Sequence, residues 1–163
     1  MENFYSSKEW DAIKQRVVEA KQSAKALVFT NGCFDILHPG HKALLEFAKK
    51  EKGFLLIGLN SDDSVGRLKG VGRPINSAEI RAKNLLETGL PDAVVEFTED
   101  SPREIIEYLE PDILIKGGDY TVNTIVGAPE VLAKNGKVLI FPILQGHSTT
   151  AIIEAKEKNT ETN

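Results

Sequence analysis

The stretch Thr30-Asn31-Gly32-Cys33-Phe34-Asp35-Ile36-Leu37-His38-Pro39-Gly40-His41 decides how this chain folds. An apolar run, Ala26–Thr30, leads into it, and a helical pattern running to about Lys50 follows it. Strand, glycine-containing turn and helix in that order are the first step of an α/β domain. They also place the polar residues at the carboxyl end of a strand, where open α/β sheets bind ligands. Gly32 and Gly40 permit tight turns and close backbone approach to a ligand. His41 is expected to open the helix, where unpaired N–H groups and the positive dipole end favour an anion. With His38 three residues earlier, two imidazoles can face one phosphate. The spacing is neither that of a Walker loop nor that of the dinucleotide fingerprint.

Outward from this segment, apolar runs recur at Phe54–Asn60, Ala93–Phe97, Ile113–Lys116 and Val138–Pro142. Their near-continuous apolarity fits strands covered on both faces, as in a parallel sheet. Helix-start signals lie between them. Asn76-Ser77-Ala78-Glu79 sets a capping Asn three residues before a Glu, and Ser101-Pro102-Arg103-Glu104 puts Pro just inside a start. Strands joined by helices require right-handed crossovers. The expected fold is therefore α/β: a three-layer, Rossmann-like domain with a mostly parallel five-stranded sheet and helices on both faces. Residues 1–24 read as an N-terminal amphipathic helix packed on a domain of residues 25–155, with a polar tail at 156–163. Trp10, Ile13, Val17 and Ala20 supply the helical spacing, and Trp10 reads as a packing anchor.

Composition limits the function. At 163 residues, 41% hydrophobic and 27% charged, the chain suits one domain with a real core. A net charge of −4 argues against a broad basic surface for nucleic acid. No apolar run approaches the roughly 20 residues that span a bilayer, and the acidic start lacks a secretory signal. A cytoplasmic protein without a membrane partner is expected. The single Cys33 excludes an intramolecular disulfide and a cysteine-only metal site. A catalytic zinc would need three protein ligands, and no Asp or Glu at helical spacing completes the histidine pair. No resident metal is expected.

Of three histidines, two lie in the opening segment. The third, His147, abuts Ser148-Thr149-Thr150, a polar helix start whose hydroxyl and N–H groups suit phosphates. Lys69 and Arg73 sit in the Gly-rich stretch Gly66–Arg73, read as a long connection able to close over phosphates. Lys116 ends a strand and meets Gly117-Gly118, which suits an anion or a ribose better than packing. Cys33 reads as a small buried filler, Asp35 as a brace that accepts backbone N–H groups, and the helix Pro102–Leu109 with its Glu residues as a solvated face. Arg81, taken alone, reads as a surface charge on a helix.

These segments together resemble the HxGH nucleotidyltransferase superfamily, related to the class I aminoacyl-tRNA synthetases. Within it the chain is similar to the bacterial D-glycero-β-D-manno-heptose 1-phosphate adenylyltransferases, from about Lys25 to Glu154. The likeness rests on Thr30–Asp35, His38-Pro39-Gly40-His41, Asn60-Ser61-Asp62, Leu68-Lys69-Gly70 with Arg73-Pro74, Arg81, Lys116-Gly117-Gly118-Asp119-Tyr120 and Ser148–Thr150. It implies transfer of AMP from ATP to the sugar 1-phosphate by direct in-line attack, without a covalent intermediate, giving ADP-heptose and pyrophosphate. By resemblance His38, His41, Lys69 and Lys116 carry the chemistry. Thr30, Asn31, Gly32, Phe34, Gly40, Asn60, Arg81, Gly117, Asp119, Ser148, Thr149 and Thr150 join both histidines in holding the nucleotide, and Lys69 and Arg73 hold the acceptor phosphate. Mg²⁺ is expected to arrive with ATP and leave with pyrophosphate. ATP and a sugar 1-phosphate are the expected partners, a sugar kinase is expected as a separate polypeptide, and a homodimer is compatible. The segment Thr121–Glu130 and His147 depart from the family pattern where the sugar is expected to sit. Two alternatives stand beside this reading. One is a glycerol 3-phosphate cytidylyltransferase or another small phosphate-acceptor enzyme, a branch that usually lacks Lys-Gly-Gly-Asp-Tyr. The other is a nucleotide-binding domain without catalysis.

Overall fold

The computed structural model describes residues 1–118 and 120–142 in full and the backbone of 153–154. Along the chain run β1 (Phe4–Tyr5), α1 (Trp10–Gln22), β2 (Leu27–Gly32), α2 (Pro39–Lys49), β3 (Phe54–Asn60), α3 (Asp62–Lys69) and α4 (Ala78–Glu87). There follow β4 (Ala93–Phe97), α5 (Arg103–Leu109), β5 (Ile113–Gly117), a 3₁₀ turn (Val122–Thr124), α6 (Ala128–Ala133), β6 (Lys137–Phe141) and β7 (Ile153–Glu154). One sheet has the order β1-β4-β3-β2-β5-β6-β7. All its pairings are parallel except that of β7 with β6.

The five expected strands are β2 to β6. The sheet also gains two-residue edge strands, so six strands are parallel rather than five. Two residues carry no readable alternation, so β1 and β7 leave no trace in a hydrophobic pattern. The central strands are covered on both faces: every residue of β3 is buried. On one face Ile13 and Val17 of α1 join Phe29, Leu56, Val95 and the α5 residues Ile105, Ile106 and Leu109. On the other, Leu45 of α2 packs with Ile57, Leu59 and the α4 residues Ala82 and Leu85. α5 therefore has a core face as well as the solvated one expected of it. Trp10 packs against the first cluster and donates from Nε1 to the Glu96 carbonyl at 2.9 Å.

Two local readings change. Gly66–Arg73 is not one long connection: its first half is the end of α3, a helix whose start is capped by the Ser61 hydroxyl. α4 is capped by Ser77, not Asn76, because the Asn76 side chain is drawn away to donate to the Asp35 carbonyl at 2.9 Å. Among the described residues no helix is long and apolar enough to cross a membrane.

The register sets Thr30 beside Ile57 and Gly32 beside Leu59, so β2 and β3 end level. Lys116 and Gly117 end β5 on the other side of β2. These ends form the floor of the site.

Candidate active site

His38 is the N-cap of α2, with φ −134° and ψ 170°, and its Nδ1 accepts the Gly40 N–H at 3.1 Å. Pro39 follows at the first turn, where its missing N–H costs nothing. With Nδ1 accepting, the proton of a neutral His38 lies on Nε2, ready to donate outward. His41 is expected to open the helix, but α2 begins two residues earlier at Pro39 and His41 sits within its first turn. Its ring stacks on His38 at 3.7 Å between centroids, and Phe34 meets it edge-on at 5.2 Å. Burial first, then the adjacent His38, lowers the His41 pKa to about 4, against a weaker opposing pull from the Ile36 backbone. His41 is thus a neutral imidazole near pH 7. The pair offers hydrogen-bond donors at a helix N-terminus without a permanent charge on His41.

Beneath the strand ends lies Arg81 of α4, fully buried and not the surface charge its isolated sequence context suggests. Nε donates to the Asn76 carbonyl at 2.9 Å, Nη1 to the carbonyls of Cys33 (2.8 Å) and Asn60 (2.9 Å), and Nη2 to Asp62 Oδ1 (2.7 Å). One guanidinium thus ties together the ends of β2 and β3 and the starts of α3 and α4. Four of its five N–H bonds are committed.

Asp35 clasps the next loop. Its carboxylate accepts from the N–H groups of Ile75 (2.8 Å) and Asn76 (2.9 Å) and from Arg73 Nε (3.1 Å). Burial acts to raise the Asp35 pKa, but these three donors outweigh it and hold the carboxyl below its ordinary range. Arg73 is therefore anchored to the motif through Nε, and its Nη groups have no hydrogen-bond partner among the described residues. Lys69, exposed at the end of α3, lies close enough for its charge to act on His41 and Cys33.

Lys116 is half-buried, and burial lowers its pKa. No carboxylate lies within ion-pair distance among the described residues; its ammonium instead sits 4.9 Å from the centre of the Tyr120 ring. Gly118 makes that possible, since its φ is 122° and a Cβ there would come 2.9 Å from the Tyr120 ring. Gly32 has a similar reason: a Cβ would meet the Phe34 ring at 2.9 Å. Thr30 is buried with Oγ1 unpaired among the described residues, and Asn60 is buried with Nδ2 donating to Ser64 Oγ at 3.0 Å.

A cleft of about 380 Å³ opens over these strand ends. Asn31, Gly32, Cys33 and Asn60 line it beside Leu68, Lys116 and Tyr120, and its far walls are Asp100–Pro102 and Thr124–Val126. Cys33 is half-exposed on this lining rather than buried as filler. His38, His41, Arg73 and Arg81 are not part of the lining. The histidine platform adjoins the cleft through the Gly32–His38 loop. Asp119, His147 and Ser148–Thr150 lie outside the described residues. Asp100 and Ser101 are site residues the sequence reading does not single out, although the carboxyl end of β4 is open to the same strand-end rule that picks out β2 and β5, whereas Thr124 belongs to the segment where the sugar is expected to sit.

The Cytidylyltransferase-like family model matches residues 29–155. The bifunctional protein HldE of Marinomonas sp. (strain MWYL1) is 51% identical over 140 residues, which is 86% of this chain and 30% of that protein. Its counterpart in Hyphomonas neptunium is 48% identical over 147 residues, 90% of this chain and 30% of that one. The chain therefore spans under a third of the length of these relatives. The crystal structure of the lipopolysaccharide core biosynthesis protein from Thermoplasma volcanium GSS1 superposes with a TM-score of 0.59, covering 76% of this chain and 99% of that one. At 23% identity that likeness is one of fold.

Proposed function

The chain belongs to the cytidylyltransferase-like family of nucleotidyltransferases, and on that premise we propose that it transfers AMP from MgATP to D-glycero-β-D-manno-heptose 1-phosphate. The observation that carries this is the stacked His38–His41 pair at the N-terminus of α2, beside a cleft lined by Lys116, which has no carboxylate partner among the described residues. A phosphate oxygen of the sugar 1-phosphate attacks the α-phosphorus of ATP. The bond to the bridging oxygen breaks on the opposite side, and pyrophosphate leaves with Mg²⁺. Such transfer needs positioning and charge stabilisation more than covalent help. His38 Nε2–H and the N–H of His41 donate to the phosphate oxygens as charge builds. Lys116 faces the same charge from the end of β5, Lys69 approaches from the end of α3, and Arg73 from the α3–α4 connection. ADP-heptose then serves cell-surface polysaccharide assembly in the cytoplasm. The sugar 1-phosphate comes from a kinase on this polypeptide or another, since the similar relatives are bifunctional and extend far beyond the matched region.

A pyrophosphate-release screen tests the reading by crossing ATP, CTP, GTP and UTP with heptose 1-phosphate and glycerol 3-phosphate. ATP with heptose 1-phosphate should lead. A lead for CTP with glycerol 3-phosphate would assign the acceptor to the other branch, and no release with any pair would remove catalysis.

A further inference from the structure

We propose that Asp100, held in place by Arg67, recognises the hydroxyl groups of the acceptor sugar at the end of the cleft opposite Lys116. The inference rests on the acceptor reading above.

The cleft crosses four strand ends. Lys116 ends β5, Asn31 and Gly32 end β2, Asn60 ends β3, and Asp100 follows β4. Three strand spacings, about 14 Å, separate β5, which carries Lys116, from β4, whose following turn carries Asp100. The cleft is therefore bipolar along its length. An anionic head fits beside the unpaired cation of Lys116 better than beside Asp100, whose charge Arg67 offsets, whereas a neutral polyol tail fits the carboxylate, which only accepts hydrogen bonds. A second polyphosphate would not suit that end. A three-carbon acceptor is too short to engage both.

The carboxylate is held for this task. Arg67 donates from Nε to Asp100 Oδ1 at 2.7 Å and from Nη2 to the Thr98 carbonyl. Ser64 Oγ, which accepts from Asn60 Nδ2, donates to the Glu99 carbonyl at 2.9 Å. The turn after β4 is thus pinned to α3 through three successive residues, and α3 is tied to β3. Oδ2 of Asp100 has no partner among the described residues, and its neighbour Ser101 lines the same wall. The Asp100 side chain is 68% exposed, so it can exchange water for sugar hydroxyls without being stripped of solvent in advance. An ion pair this exposed contributes little to folding, so its loss should leave the protein intact.

The test measures kcat/KM of the wild type, Asp100→Asn and Asp100→Ala with three acceptors: heptose 1-phosphate, mannose 1-phosphate (one hydroxymethylene shorter) and glycerol 3-phosphate. The ATP KM and the melting temperature are followed in parallel. Both variants should lose on the order of 10²-fold with heptose 1-phosphate, keep the ATP KM and melting temperature, and narrow the ratio between the two sugars. Arg67→Met should move in the same direction by less. An equal loss on every acceptor, or an unchanged heptose kcat/KM, would overturn the role of Asp100 while leaving the acceptor reading in place. A wild type that uses glycerol 3-phosphate and no sugar phosphate would overturn both.

Discussion

At the scale of single residues the site depends on two imidazoles that differ in environment while sharing a stack. His38 is exposed and its tautomer is set by the Gly40 N–H; His41 is partly buried and held neutral. If both donate to the transition state, His38→Ala and His41→Ala should each lower kcat by on the order of 10²-fold, with ATP affinity much less changed. Near-normal kcat in either folded variant would remove that residue from the chemistry. His41 also carries a pH signature. Its folded pKa, about 4, lies below the unfolded value of about 6.5, so the unfolded chain binds the extra proton first on acidification. The native state therefore loses stability as pH falls from about 6.5 to 4, and this component is absent above that window. Melting temperature against pH should fall less steeply across the window in His41→Asn than in the wild type. Parallel curves would refute the assignment.

At the scale of elements, the site exists because Arg81 joins four of them. Arg81→Met would leave the carbonyls of Cys33, Asn60 and Asn76 without their donor and Asp62 without its ion pair. Removing one side of such a buried arrangement should cost about 3 kcal/mol or more, read from the urea midpoint at constant m-value. Arg81→Lys should recover under half of that, because an ammonium lacks the planar fork that reaches several acceptors at once. Full recovery by Lys would mean that charge alone matters there. Helix starts were legible to within a few residues: Asn76–Glu79 and Ser101–Glu104 lie at the starts of α4 and α5, although α5 begins after Pro102 without a side-chain cap and α2 begins at Pro39 rather than His41. The cap of α4 was misassigned by one residue, because the competing partner of Asn76 is Asp35, 41 positions away.

At the scale of the whole molecule, the fold is one sheet with a cleft open over the carboxyl ends of its central strands. Anything that binds only the folded state raises its stability by mass action. MgATP at 100 times its dissociation constant should add about 2.7 kcal/mol, seen as a rise in melting temperature that mutation of both histidines diminishes. On the proposed reading Mg²⁺ enters as part of the nucleotide substrate rather than as a resident ion. Chelation should stop turnover yet leave the melting temperature of the free protein unchanged. A fall in that temperature on chelation would point to a structural ion.

The amino-acid sequence alone determined the alternation of strands and helices, the parallel character of β2 to β6, and the placing of His38 and His41 at a helix start. These features depend on neighbours within a few residues, where apolar runs, glycines and caps act directly. The position of Lys116 at a strand end was equally plain, since Val28↔Ile113 pairing only seats a run already apolar. Tertiary structure alone decided that Arg81 is buried, that Arg73 is anchored to Asp35, and that Asp100 shares a cleft with Lys116. Each of these joins residues 16 to 48 positions apart in the chain. A charged side chain looks the same in sequence whether it faces water or carbonyls brought from elsewhere. Only the strand order β4-β3-β2-β5 brings those partners within hydrogen-bond and charge range.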